Sequence, residues 1–146
     1  MTVDDVAWNG SRWSELAPGV HERSFASWNL NVGVVVGEEK ALVVDTRSTP
    51  REGRELLAHV RELTDLELLV VNTHAHPDHC RGNEAFAGSR VLAHPVALEA
   101  MRSGRFARRP APVAHRPSPV ASAQDQVSTS RLLDLGGRRV AVHFHG

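Results

Sequence analysis

The sequence predicts an α/β fold, on three observations. Two β-branched runs, Val32 to Val36 and Ala41 to Val44, flank a polar turn at Gly37-Glu38-Glu39-Lys40. A segment with apolar residues at helical spacing follows them. A second apolar run, "LELLVVN", comes straight after that segment. Strand, helix, strand in that order implies a parallel crossover. With 146 residues, the chain is long enough for one domain with a real core and hardly for two.

Each element has its own local cause. Met1 to Pro18 is weakly patterned, with Trp8 and Trp13 as isolated aromatics, and reads as an irregular lead-in or edge strand. The two β-branched runs about their polar turn make a hairpin, and the run before Asp45 is apolar on both faces, as a strand covered on both sides is. In "STPREGRELLAHVRELT", Ser48 or Thr49 can cap the first free amides and Pro50 suits the first helical position. Leu56, Leu57, Val60 and Leu63 then form one buried stripe. "GNEAFAG" predicts a short helix ending at Gly88, "RVLAHP" a short strand, and "PVALEAMRSG" a helix closed by Gly104. From Arg105 to Ser130 the pattern dissolves around Pro110, Pro112, Pro117 and Pro119, which predicts a long Pro- and Arg-rich loop. "TSRLLDLGGRRVAVHFHG" then gives two strands about the Gly136-Gly137 turn.

Composition narrows the function classes. Formal net charge is zero, so nothing global points to nucleic acid or to an acidic membrane surface. The single cysteine, Cys80, excludes an internal disulfide. The start "MTVDDVAWNG" has neither the basic nor the apolar region of a secretory signal, and no apolar run reaches the roughly 18 residues of a membrane helix. The expectation is a soluble, cytoplasmic protein. The stretch "MRSGRFARRPAPVAHRP" lacks acidic residues, but Phe106 is its only aromatic, so it reads as a solvated loop bordering a pocket rather than a nucleic-acid surface.

The chemistry concentrates in "VVNTHAHPDHCRGN", Val70 to Asn83. It sets His74, His76, Asp78 and His79 directly behind an apolar run. Leaving an extended strand, alternate residues point the same way, so His74, His76 and Asp78 share one side. Pro77 keeps His76 out of helical geometry and starts a helix that swings His79 back toward the same place. Imidazole nitrogens with a carboxylate suit zinc, or iron, manganese and nickel, better than calcium or magnesium. Ligand sites of open α/β sheets lie beyond the carboxyl ends of strands, where this cluster falls. By contrast His94 reads as a strand-end residue, His143 and His145 as alternating strand residues that face solvent or the sheet partner, with substitution as ligands the less favoured reading, and Cys80 as a small buried thiol. His21, His59 and His115 carry no spacing signal.

"THAHPDH" resembles the T-H-x-H-x-D-H signature of the metallo-β-lactamase superfamily. "ALVVDT" is similar to the family's upstream aspartate motif, "HCRGNEAF" to its Gly-Asn segment, and "LLDLGGRRVAVHFHG" to the strand pair before its third metal motif. The resemblance covers about Val20 to Gly146. It implies the superfamily's αββα sandwich, of which this chain resembles the first αβ half. It also implies that His74 and His76 hold one zinc ion and that Asp78 and His79 hold a second. A bridging water or hydroxide is then the nucleophile, with Asp78 as the catalytic residue that ligates and orients it. Asp45 and Thr73 would steady the ligand rings by hydrogen bonds. Histidine at position 76 resembles the hydrolases rather than the di-iron oxidoreductases of the family.

The reading is therefore a zinc-dependent hydrolase of a lactam, lactone, thioester or related ester, acting on a small molecule. The sequence stops at "VAVHFHG", before the family's third metal motif, so each ion has two of its usual three protein ligands. Two alternatives follow: an inactive metal-binding remnant, or a half needing a complementing C-terminal chain, and, less favoured, an RNA or DNA phosphodiesterase. An apolar sheet face left bare would also lead the chain to associate with itself.

Overall fold

The computed structural model describes residues 12–104, 124–126 and 129–145, with backbone alone for 124–126. Most of the expected 105–130 loop and most of the 1–18 lead-in therefore lie outside the described residues, Trp8 and His115 included.

Strands β1 (Ser14–Ala17), β2 (Val20–Phe25), β3 (Leu30–Val36), β4 (Lys40–Val44), β5 (Glu67–Val71), β6 (Arg90–Ala93) and β7 (Gln124–Gln126) form one seven-stranded sheet in sequence order. The first four run antiparallel to their neighbours, and β4 to β7 run parallel. The change of direction falls where the sequence has its crossover, through helix α1 (Pro50–Leu63). Thr49 caps α1 by accepting the Glu52 amide at 3.1 Å, with Pro50 in the first turn. Strand β2 carries the charged "VHERSF" and was not expected, nor was β7 inside the stretch read as a loop.

Two apolar layers hold the sheet. On one face Leu56 and Val60 of α1 and Phe86 pack against Val32, Val34, Val43, Val70 and Val91. On the other, Leu133 and Leu135 pack on Leu42, Leu69, Val71 and Leu92, with Val140 and Val142 alongside. The second layer is a hairpin, β8 (Ser130–Asp134) and β9 (Arg139–His143), whose turn glycines Gly136 and Gly137 both have positive φ. It is a separate two-stranded sheet, so the face expected to lie bare is covered in part. The two hairpins are tied end to end: the Glu39 and Lys40 amides donate to the Leu135 carbonyl at 2.9 and 3.0 Å. No helix among the described residues is long and apolar enough to cross a membrane.

The histidine motif lies between β5 and β6. It forms a one-turn helix α2 (Pro77–Cys80) and then a 3-10 helix at Arg81–Phe86. Helix α3 (Pro95–Ser103) follows β6, capped by His94 and closed at the left-handed Gly104, as its sequence predicts. Gly53 in the middle of α1 is explained by this neighbourhood. A Cβ there would sit 2.4 Å from the Gly82 carbonyl oxygen, so α1 and the motif segment touch backbone to backbone.

Candidate metal centre

The site begins with the strand ends. Strands β4 and β5 are parallel and in register, so the residues just after them, Asp45 and Asn72 to His74, emerge side by side. Pro77 opens α2 from an extended His76 (φ −62°, ψ 143°), and one helical turn returns His79 toward His74. The rings of His74 and His79 lie 4.0 Å apart between centroids, and those of His74 and His76 lie 4.6 Å apart. Asp78 Oδ2 is 3.2 Å from His79 Nε2. The four side chains expected as ligands are thus neighbours in pairs: His74 with His76, His74 with His79, and Asp78 with His79.

Asp45 is the anchor. Its side chain is almost wholly buried, and each oxygen is used. Oδ1 accepts the Thr73 amide at 2.8 Å, and Oδ2 accepts the Thr73 hydroxyl at 2.8 Å and His79 Nδ1 at 2.7 Å. A hydroxyl donates once, so Thr73 Oγ1, having donated to Asp45, accepts from His74 Nδ1 at 2.9 Å. This chain of donors fixes both rings: His74 and His79 carry their proton on Nδ1 and turn an Nε2 lone pair outward. Sequence reasoning singled out Asp45 and Thr73 for this place.

The electrostatics differ between the rings. Burial, then the neighbouring His79, pushes the His74 pKa below the ordinary imidazole value. The hydrogen bond to Asp45 outweighs burial and raises that of His79. A neutral His79 sets an Nε2 lone pair against the Asp78 carboxylate oxygen at 3.2 Å, two acceptors facing each other. Such a pair needs a proton or a cation to hold it. Imidazole nitrogens beside a carboxylate are donors of the kind that divalent ions of the zinc type accept, and His74, His76, Asp78 and His79 are the side chains that offer them here. Among the described residues no three His, Cys, Asp or Glu side chains are already gathered as one cage.

Thr46, Asn72 and Asn83, to which the sequence reading gave no role, shape the site from behind. The His79 carbonyl accepts the Thr46 amide at 2.9 Å and Asn72 Nδ2 at 3.1 Å. Asn72 and Asn83 exchange amide hydrogen bonds at 3.0 and 2.7 Å, and Asn83 Oδ1 also accepts the Thr46 hydroxyl at 2.7 Å. An asparagine ending an apolar run, as Asn72 does, was the available signal, because a buried amide must be matched. The remaining histidines stand elsewhere. His94 Nδ1 accepts the Val96 amide and its ring stacks on Phe144 at 3.6 Å. His143 pairs with Ser130 across the hairpin at 2.9 Å, and His145 lies 6.0 Å from it between rings. Cys80 is buried, its thiol pushed up to about 12, chiefly by desolvation.

A mixed sheet with helices on one face, a second sheet on the other and a histidine-aspartate cluster at the strand ends defines a metallo-hydrolase class of fold. The family model of the metallo-beta-lactamase superfamily matches residues 28–146, and the chain belongs to that superfamily. Among solved structures it is similar to a metallo-beta-lactamase with a HARLDQ motif from Cronobacter sakazakii, at 22% identity and TM-score 0.65 over 86% of this chain and 51% of that one. It is also similar to MEM-A1, a subclass B3 metallo-beta-lactamase from a soil metagenome library, at 20% identity and TM-score 0.65 over 89% and 51%. A metallo-beta-lactamase from Erythrobacter litoralis matches at 27% identity and TM-score 0.53 over 70% and 48%. The chain spans about half the length of these structures. No curated protein matches it.

Proposed function

We propose that this chain carries the metal-binding part of a zinc-dependent hydrolase. In this reading His74 and His76 are ligands of one ion, Asp78 and His79 of a second, and iron or manganese is the substitute the donor set would accept. The observation that carries it is the 3.2 Å approach of His79 Nε2 to Asp78 Oδ2, with Nδ1 of the same ring committed to Asp45. A divalent ion there would make hydroxide available at neutral pH, from a water pKa near 16 lowered to about 7, and would polarise a carbonyl.

The chain's own residues do the rest. Asp45 fixes the His79 tautomer directly and that of His74 through Thr73. Asp78 sits at the rim with a carboxylate oxygen directed at the cluster, where it can orient an attacking water and accept its proton. The solved relatives are named metallo-beta-lactamases, which puts a lactam first among the substrates, ahead of a lactone, thioester or related ester.

The test is zinc uptake by the full chain at neutral pH, with hydrolysis of a chromogenic cephalosporin and of a nitrophenyl ester followed alongside. His76→Ala is expected to lower metal stoichiometry and abolish any turnover together. Activity surviving that substitution would discard the assignment. A second reading is that the chain binds metal but turns nothing over unless another chain adds a donor, since a catalytic zinc takes three protein ligands and this reading gives each ion two. Zinc binding with no hydrolysis of either substrate would select it.

A further inference from the structure

We propose that Arg47 is a positioning residue for the histidine cluster: its clamped guanidinium holds the left-handed turn Asp45 to Arg47 that aims the Asp45 carboxylate at His79. The inference rests on the reading of His79 as a metal ligand.

The turn is unusual in its backbone. Asp45 has φ 67° and Arg47 has φ 75°, the left-handed region that side-chain-bearing residues avoid. Two such residues two positions apart persist only where their surroundings dictate it. For Asp45 those surroundings are the bonds to Thr73 and His79 already described. For Arg47 they are its side chain and its carbonyl. Nη2 donates to Glu52 Oε1 at 2.9 Å and to Ser27 Oγ at 3.3 Å, and Nη1 reaches Glu55 Oε2 at 3.5 Å. The guanidinium also stacks on the Phe25 ring, 3.9 Å from its centroid. The Arg47 carbonyl accepts the Gly82 amide at 3.0 Å, just beyond α2.

Stability alone does not account for this arginine. It is 7% exposed, and its Nε has no hydrogen-bond partner among the described residues. An apolar side chain would fasten α1 to the sheet without burying a charge. What the planar fork supplies is direction. It grips two carboxylates of α1 and one hydroxyl from the Ser27–Asn29 turn, so it fixes the turn from two sides. Between the two left-handed residues, the Thr46 amide grips the His79 carbonyl, and so the same turn sets both the backbone and the ring of His79.

The experiment titrates Zn2+ into wild type, Arg47→Ala and Arg47→Gly in the full chain, with circular dichroism to verify folding. Arg47→Ala loses the clamp and keeps the strained φ, and its zinc affinity is expected to fall about tenfold or more. Arg47→Gly also loses the clamp but adopts positive φ freely, so its affinity is expected to stay within about threefold of wild type. A residue that merely stabilised the fold would separate glycine from alanine in urea unfolding but not in the zinc affinity of the folded protein. In Glu52→Ala, which keeps the arginine and removes one partner, the affinity falls by about threefold. Equal weakening by glycine and alanine, or wild-type affinity in both Arg47→Ala and Glu52→Ala, would overturn the proposal. Wild type that takes up no zinc would instead sink the reading of His79 as a ligand.

Discussion

Replacing Asp45 by asparagine changes one atom's chemistry and almost none of the shape, and the consequences can be followed bond by bond. With Oδ1 kept on the Thr73 amide, the new Nδ2 faces the Thr73 hydroxyl and His79 Nδ1, which both donate to Asp45 in the native protein at 2.8 and 2.7 Å. Donor then meets donor twice. Relief requires His79 to move its proton to Nε2. It also requires the Thr73 hydroxyl to turn and donate to His74 Nδ1, 2.9 Å away, which drives that proton to Nε2 as well. Both rings lose the lone pair that a metal needs. The flipped amide is no better, since Nδ2 would then meet the Thr73 amide.

Loss of one such outer partner costs 10- to 100-fold in metal affinity. With two rings inverted the upper end applies, about 100-fold or about 2.7 kcal/mol. The metal-free protein should also lose roughly 1.5–3 kcal/mol, the worth of a buried hydrogen bond to a charged group. Zinc titration against a competing chelator measures the first quantity and urea unfolding the second. Imidazole nitrogen NMR reports the tautomers. An asparagine variant that binds zinc within about threefold of wild type, its His74 and His79 protons still on Nδ1, would refute the donor chain.

Three further outcomes are expected. Gly53→Ala should destabilise the chain by about 1–3 kcal/mol in urea unfolding, although alanine is the better helix former, because its Cβ would meet the Gly82 carbonyl at 2.4 Å. In metal-free protein the His79 pair with Asp45 should add stability fully below about 6.5 and lose it as pH rises through the raised folded value, since the folded chain holds that proton longer than the unfolded one. Thermal midpoints across that window, compared with His79→Gln, measure the effect, and an unchanged slope in the variant would count against it. Cys80, with its thiol near 12 against an ordinary 9.0, should be alkylated by iodoacetamide at pH 8 roughly a thousandfold more slowly in native than in denatured protein.

The sequence exposed the histidine-aspartate cluster and only part of what holds it, for a physical reason. His74, His76, Asp78 and His79 are neighbours in the chain, so extended backbone, a proline and one helical turn suffice to gather them, and those are local rules. The α1 cap and the two hairpins were legible on the same terms. Strand β2 was not, because its inward positions are Arg23 and Phe25 rather than two apolar residues. The Arg23 guanidinium lies 5.7 Å from the Phe25 ring and 5.9 Å from that of Trp13. A charged residue that buries its stem against aromatics looks like solvent-facing polarity in a one-dimensional pattern. Strand β7, "QDQ", has no apolar residue to announce it and exists as a strand by pairing with β6.

The same logic separates the two carboxylates of the site. Asp78 is readable because it lies inside the motif. Asp45 was readable as the end of an apolar run and through its likeness to the family's aspartate motif, but no local spacing rule pairs it with His79, 34 positions away. That meeting depends on the parallel register of β4 with β5, on a left-handed turn, and on an arginine seated against Phe25. Side chains able to take a metal can be named from spacing. Those that decide how a ring is turned act through tertiary contacts between strand ends, and each leaves only a buried polar side chain as its trace. Arg47, Asn72 and Asn83 are all such residues, at 7%, 2% and 2% exposure. In a chain whose core is mostly Val and Leu, buried amides and guanidinium groups of this kind are where a reader of sequence should look for the supports of a site.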